Sequence, residues 1–452
     1  MKAITIAFLA ILVASVSACD DGGSSATDSG TDTDTDTDTD TDTDVDTDTD
    51  TDTDTDTDTD TDMDTDTDTD SDTDADGGPD GSTDTDTDTD TDTDSDIDAG
   101  LDGGMDASPD AAVDGGLGCW EGNHTIDDTA TRDAFAPYTC ITGDLTISGS
   151  TLTELDLPNL VTVDGDLRFS QADGIAGFTM GAIETIGGDL SLSNCDLLAD
   201  VDGLSNLDTI GADLSVSGCH QLTDLDGLSN VTSYGGAVFV SWNDALASLA
   251  GLTGLATATN LWIDQCSDDL TSLAGLENLT SVSGTLRISG NVGLLSLSAL
   301  GNHVSVGQQV RITGNHALTN LDGLGGVGDL TGNLWIEWHN ALTNVDALAG
   351  VTSVGGFIRF YDNHAVTTLA GLASIETVTY GINFSGNELV TSFDELTSLD
   401  SVGGNLTVED NTTLPYCEIC DLMDQLSSGP TGVTASGNQA DTCWVSSALD
   451  CP

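Results

Sequence analysis

The chain has 452 residues, with 6 Lys and Arg against 80 Asp and Glu, and a formal net charge of −74. A chain this acidic excludes direct binding to nucleic acid, whose phosphates need Lys and Arg. It also disfavours an anionic membrane surface and suits divalent cations and basic partners. Between Asp20 and Asp114 lie 39 of the 80 acidic residues, so about half of the charge belongs to one segment. The remainder has enough Leu, Val and Ile to build a core.

Residues 1–18 read as an export signal. Lys2 supplies a positive start, and residues 3–16 are an apolar run shorter than the roughly 20 residues a membrane-spanning helix needs. Val16-Ser17-Ala18-Cys19 resembles the lipobox of bacterial lipoproteins. The resemblance implies cleavage before Cys19, lipid on Cys19, and a membrane partner through that anchor. The alternative is an ordinary signal peptide cut near Ala18, with Cys19 left as a thiol. A lipid anchor of this kind places the chain in the cell envelope, at the outer membrane or cell surface.

Residues 19–118 are Thr-Asp repeated many times with Gly, Ser and Pro. With almost nothing to bury, this segment cannot offset the entropy of ordering and is expected to be a disordered spacer. Like charges at every second residue keep it extended, with a limit of roughly 330 Å at ~3.3 Å per residue. Asp-x-Asp offers oxygen ligands to calcium, but a built calcium loop also needs a turning Gly and a closing Glu. Weak Ca2+ association is the expectation, and no cofactor.

Residues 119–142 form an N-terminal cap, and repeats fill residues 143–414. The unit is clearest at residues 332–355, GNLWIEWHNALTNVDALAGVTSVG. Leu334 and Ile336 alternate with Trp335 and Glu337, the period of a strand. Further apolar steps follow at Leu342, Val345 and Leu348, then at Val351 and Val354. A unit this short cannot bury its own apolar side and must stack on copies of itself. Anchors recur at Leu145, Leu167, Leu190, Leu214, Val238, Leu261, Leu286, Val310, Leu334, Ile358, Ile382 and Leu406, mostly 24 residues apart. About twelve coils at ~4.8 Å each predict a solenoid ~55 Å long.

Five residues after each anchor runs a column of Ser150, Ala172, Cys195, Cys219, Asn243, Cys266, Asn291, Asn315, His339, Asn363, Asn387 and Asn411. Asn and Cys mixed at a corner is a habit of leucine-rich repeats, because a stacked Asn can satisfy the turned backbone of the next coil. The rest of the coil has Gly, Thr and Val where a helix would want Ala, Glu and Lys, so strands and turns are expected around it. The overall pattern L-x-G-L-x-x-L-x-S-V-G-G-x-L-x-I-x-x-N resembles the receptor L-domain family, a leucine-rich-repeat-related β-helix, over about 270 residues. The expected fold is mainly β: a right-handed parallel β-solenoid with disulfide-bonded caps. Asp202, Asp226, Asp322, Asp346 and Asp394 recur twelve residues after their anchors and read as turn caps bonding their own backbone, with a metal ladder as the alternative.

Exported proteins oxidise paired cysteines. Cys195, Cys219 and Cys266 belong to the corner column and read as thiols, although Cys195 and Cys219 are close enough in coil number to bridge. Six others flank the repeats and pair evenly, Cys119 with Cys140 in the N-terminal cap. Residues 415–452 form the C-terminal cap. Leu414-Pro415-Tyr416-Cys417, a short helix near residues 418–426, Ser436-Gly437-Asn438 and Cys443 resemble the closing cap of bacterial solenoid lipoproteins. The resemblance implies Cys417–Cys443, which leaves Cys420–Cys451. A four-Cys zinc site is the rival; Cys417-x-x-Cys420 fits it, but Cys443 and Cys451 are too widely spaced and the compartment is oxidising.

Side chains one residue after each anchor point away from the core. Beyond the export signal the chain has five basic residues, all Arg, and four of them fall in this column: Arg168, Arg287, Arg311 and Arg359. Phe239, Trp262 and Trp335 share it, and Asp264, Glu337 and Tyr361 lie in the next outward column. Arg and aromatics are enriched in binding hot spots, so this band is the candidate face for a protein or glycan ligand. The alternative is a solvated sheet face whose rings and guanidinium groups stack for local stability. Asp264 and Glu337 are three coils apart, ~14 Å, whereas glycoside hydrolysis needs carboxyl groups within roughly 5–9.5 Å. With no other catalytic constellation in the sequence, the expectation is a non-enzymatic binding or adhesion protein. A passive envelope component and a polysaccharide-processing β-helix are the alternatives.

Overall fold

The computed structural model describes residues 118–445, 448, 449 and 451. The export signal, the lipidation motif at Cys19 and the Thr-Asp segment lie outside the described residues. Among the described residues, fourteen parallel strands form one long sheet, from His124–Ile126 to Gly432–Ser436. Anchors meet anchors throughout: Leu145 faces Leu167, Val310 faces Leu334, and Leu334 faces Ile358. The protein is a mainly β, parallel solenoid. The long sheet runs on into both flanking segments, where His124 pairs with Leu145 and Val433 with Leu406.

A second side of most coils carries two-residue strands. They assemble into a six-stranded group that starts at Cys119–Trp120 and ends at Ser233–Tyr234, and into two three-stranded groups beyond it. The third side is built from consecutive i→i+3 turns, six of which close as short 3-10 helices such as Asp226–Leu228 and Ala370–Leu372. In one coil the Leu222 N–H donates to the Cys219 carbonyl, that of Leu228 to Leu225, and that of Val231 to Leu228. Such turns put every third side chain on one face. That is why the apolar residues here step by three, and why Leu222, Leu225, Leu228 and Val231 are all fully buried.

The recurring Asp does not cap its own turn. Asp202, Asp226 and Asp346 open their 3-10 helices with no side-chain cap. Capping comes from two residues earlier: Asp200 accepts from the Asp202 N–H, Asp224 from Asp226, and Asn320 from Asp322. A side chain in the turn's first position points along the helix, whereas one placed before it reaches back over the free N–H.

From Ala172 onward the corner column is buried, and its Asn residues form a ladder between coils. Asn291 Oδ1 accepts from the Cys266 N–H at 3.0 Å, and its Nδ2 donates to the Ile263 carbonyl at 2.8 Å. Asn315, Asn387 and Asn411 repeat the same pair of bonds to the preceding coil. Asn438, in the C-terminal segment, continues the ladder and donates its own N–H to Tyr416 Oη. Cys195, Cys219 and Cys266 are buried thiols in the same column. His339 is the irregular rung. Its two ring nitrogens lie 3.1 and 3.0 Å from the carbonyls of Asn315 and Ile312, and burial holds its pKa down.

One residue before the ladder the backbone is left-handed in coil after coil. The column holds Gly218, Gly290, Gly314 and Gly386, but also Trp242 at φ 58° and Trp338 at φ 61°. Glycine adopts this corner without cost, and a bulky side chain does not. A second ladder sits one residue before the anchors, where Asp144 Oδ1 accepts from the Asp166 N–H and Asp189 Oδ1 from Asp213. The Asp166 N–H is the main cause that lowers the Asp144 pKa.

Both ends are closed. Helix α1 (Thr129–Phe135), with a capping box at Asp128, buries Phe135 against Trp120, His124 and Tyr138. Cys119 and Cys140 are cross-strand partners joined by a disulfide. Helix α2 (Tyr416–Gln425) buries Tyr416, Ile419, Cys420 and Leu422 over the last coil. Cys417–Cys443 and Cys420–Cys451 are disulfides. Cys417, Asp441 and Cys443 lie at metal-binding spacing, but both sulfurs are taken by that bridge.

The Asn291→Ala variant is expected to lose about 2–4 kcal/mol, because it orphans a buried N–H and a buried carbonyl. Asn320→Ala, an exposed turn cap, should lose about 1 kcal/mol. Urea unfolding of the two variants beside the parent checks the difference. Thiol titration of the unfolded, unreduced chain should find Cys195, Cys219 and Cys266 reactive; fewer than three would mean that the thiol ladder is bridged.

Candidate binding face

Strand pairing lines up Phe239, Trp262, Arg287, Arg311, Trp335, Arg359 and Asn383 across successive strands. Side chains at adjacent positions of a parallel sheet are held one coil apart, so flat groups in this column stack along the solenoid axis. Phe239 meets Trp262 edge-on with centroids 4.9 Å apart. The Arg287 guanidinium lies 5.3 Å from the Trp262 ring centre. Trp335 has Arg311 at 4.8 Å and Arg359 at 5.3 Å. Each such contact contributes about 0.5–1 kcal/mol at an exposed site and more when desolvated.

Asp264 and Glu337 are not outward, solvated carboxylates. Their side chains are 8% and 1% exposed. The arginine of the next coil lies over each of them: Arg287 Nε is 2.9 Å from Asp264 Oδ2, and Arg359 Nε is 3.0 Å from Glu337 Oε1. A long arginine stem folded along the sheet covers a short acid one strand away. These contacts are ion pairs by distance, and Arg287 Nε itself makes no aligned hydrogen bond. Asp264 Oδ1 and both oxygens of Glu337 have no hydrogen-bond partner. Burial pushes the Asp264 pKa up to about 6, against the opposing pull of Arg287 and Arg311. Burial also raises that of Glu337, opposed by Arg359 and Arg311. Arg311 is shifted down by burial and by the neighbouring charge of Arg287.

Nine buried side-chain nitrogen or oxygen atoms among the described residues have no hydrogen-bond partner, and seven of them lie between Trp262 and Glu337. They include Trp262 Nε1, Arg287 Nε, Arg311 Nε and Trp335 Nε1 as donors. Elsewhere the fold satisfies its buried polar atoms almost completely. Unsatisfied groups concentrated in one patch set it apart from the rest of the described residues.

Tyr361 faces Glu337 across the sheet and stands edge-on to Trp338 at 6.2 Å. Its pKa is raised, chiefly by Asp362. Further rings flank the band: Trp242 is 53% exposed, Trp338 43%, Phe357 47% and Tyr380 56%. Trp242 and Trp338 occupy the left-handed corner, and Phe357 takes a position in the Asp/Asn ladder that precedes the anchors. The strand period does not reach these positions, so the sequence gives no orientation for them. The usable signal was substitution in a column, a ring where other coils have Gly or Asn.

Beside Trp335 the face dips into an open groove of about 430 Å³, walled by Phe357, Arg359, Asn383, Asn405 and Thr407, with Ile382 among its lining. Neither a scan against protein-family models nor a search of curated proteins finds a match for this chain.

The raised Asp264 carboxyl has a signed consequence. Its folded pKa exceeds the unfolded value, so the folded state holds the proton more tightly between about pH 4 and pH 6. The parent therefore loses stability as pH rises through that window, and Asp264→Asn has no such loss. The stability of Asp264→Asn relative to the parent should rise by about 2–3 kcal/mol between pH 4 and pH 7. Paired urea titrations at the two pH values measure it, and a flat difference would show that Asp264 is not desolvated.

Proposed function

We propose that this protein is a lipid-anchored, non-enzymatic component of the bacterial cell surface whose solenoid binds a protein or glycan through the Trp262–Tyr361 face. The observation that carries the reading is the concentration of unsatisfied buried donors and acceptors on the one basic, aromatic band of a strongly acidic chain. The lipobox-like residues ending at Cys19 support the anchor, and the acidic segment supports a role as spacer between membrane and solenoid. The coil pattern's resemblance to receptor L-domains is in keeping with display for recognition. It does not name a ligand, because a fold does not fix one.

A second reading has its own support. The Trp and Arg side chains stack on one another, which is how a passive envelope component would stabilise a sheet face. Glycan and protein array binding by the full chain separates the two. The parent should bind a small set of features, and a triple variant with Trp262, Arg311 and Trp335 all changed to Ala should lose them. Equal binding by both, or none by the parent, leaves the passive reading. Protease shaving of intact cells should release solenoid fragments, and their full protection would place the protein away from the surface.

A further inference from the structure

The groove beside Trp335 lies where the column is irregular. One residue before the anchors, the long sheet carries Asn333, Phe357, Gly381 and Asn405 in successive coils. Only Gly381 lacks a side chain there, and it lets the Asn405 backbone approach closely: a Cβ at that position would lie 2.5 Å from the Asn405 carbonyl oxygen. In the same coil Ile382, alone among the twelve anchors, is only half-buried. The groove thus has an apolar floor at Ile382 and an aromatic rim, where Phe357 stacks on Tyr380 at 5.3 Å.

Its polar lining is rich in donors. Asn383 Oδ1 already accepts from Ser385 Oγ, and Asn405 Oδ1 from Thr431 Oγ1. Each of these oxygens keeps one lone pair, while the donors that face a ligand are the Nδ2 group of each Asn, the Thr407 hydroxyl and the terminal nitrogens of Arg359. No carboxylate lines the groove. Glu337 is buried and set against Arg359, and Arg311 adds a second positive charge one ring away. A donor-rich, locally positive site with an apolar floor and an aromatic rim fits a ligand with many acceptor oxygens, an apolar ring face and negative charge. It does not fit a basic peptide. The chain's overall charge does not oppose this, because at physiological salt fields decay over about 8 Å. A groove of about 430 Å³ is also within the range of small-ligand sites. Trp335 itself is no stacking platform, since Arg311 and Arg359 cover its two faces.

We propose that this groove binds a carboxylate-bearing oligosaccharide, a chain of uronic acid type, with one sugar ring against Phe357 and its carboxylate on Arg359. The proposal rests on the binding-face reading and names its ligand class and its position. The test is calorimetric titration of the full chain with hexagalacturonate, cellohexaose and an acidic decapeptide. Hexagalacturonate should bind at least tenfold more tightly than cellohexaose and weaken as salt rises. Phe357→Ala and Thr407→Val, both surface changes, should each weaken it about tenfold or more. Leu197→Ala, an exposed residue outside the band, should leave it within twofold. Circular dichroism of each variant checks that the fold is intact. Equal affinity for cellohexaose overturns the requirement for charge. Preference for the decapeptide overturns the saccharide class. Binding that survives both groove variants but falls in Phe239→Ala, at the far end of the band, overturns the groove while keeping the face. No binding of hexagalacturonate overturns the proposal, and the wider reading is then decided by the array experiment with the triple variant.

Discussion

The buried side-chain-to-backbone bond between coils is the interaction on which the architecture depends. Each chain leaves its strand through a left-handed residue and turns inward, which carries one N–H and one carbonyl into a region without water. Only a short side chain with both an acceptor and a donor can satisfy the two groups at once, and Asn is that side chain. Because its partners belong to the preceding coil, the bond also fixes how far one coil lies from the next and in which register. The columns of the outer face follow from this. Trp262, Arg287, Arg311 and Trp335 stack because the Asn ladder beneath them allows no slip.

Much of the scaffold was legible because its periods are simple. Leu334 and Ile336 alternate like a strand, and the 24-residue recurrence of such pairs predicts coils in register. The step of three in Leu342, Val345 and Leu348 was visible too, and turns were expected beside it, but not that successive i→i+3 turns set the step. The twelfth-position Asp misled for a local reason: sequence shows that an Asp recurs at a turn, but not which free N–H it reaches, and Asp200 and Asp224 hold those bonds. Asp264 and Glu337 misled for a non-local one. Strand alternation correctly sends them away from the core, yet whether such a residue meets water depends on the next coil, where Arg287 and Arg359 lie over them. Trp242, Trp338 and Phe357 sit at corners to which no strand period assigns a side.

The distribution of basic residues gives the face its character. Two of the five arginines serve local pairs: Arg132 with Asp133, and Arg168 with Asp144 and Asp166. The other three, Arg287, Arg311 and Arg359, converge on one patch with two tryptophans and two acids desolvated beneath them. The acids are buried while Arg287 and Arg359 remain 27% and 39% exposed, so each pair is desolvated mainly on its acid side. The same patch borders the coil where Gly381 breaks the side-chain column and Ile382 is only half-buried.

The end caps have a consequence of a different kind. A stack of parallel coils has no intrinsic stopping point, and each open end is a template for the next strand, its own or that of another molecule. In this protein α1 with the Cys119–Cys140 bridge closes one end, and α2 with Cys417–Cys443 and Cys420–Cys451 closes the other. Reduction of those bridges would loosen the lids and uncover the terminal strands. The disulfides therefore guard open hydrogen-bonding edges, beyond whatever stability they confer.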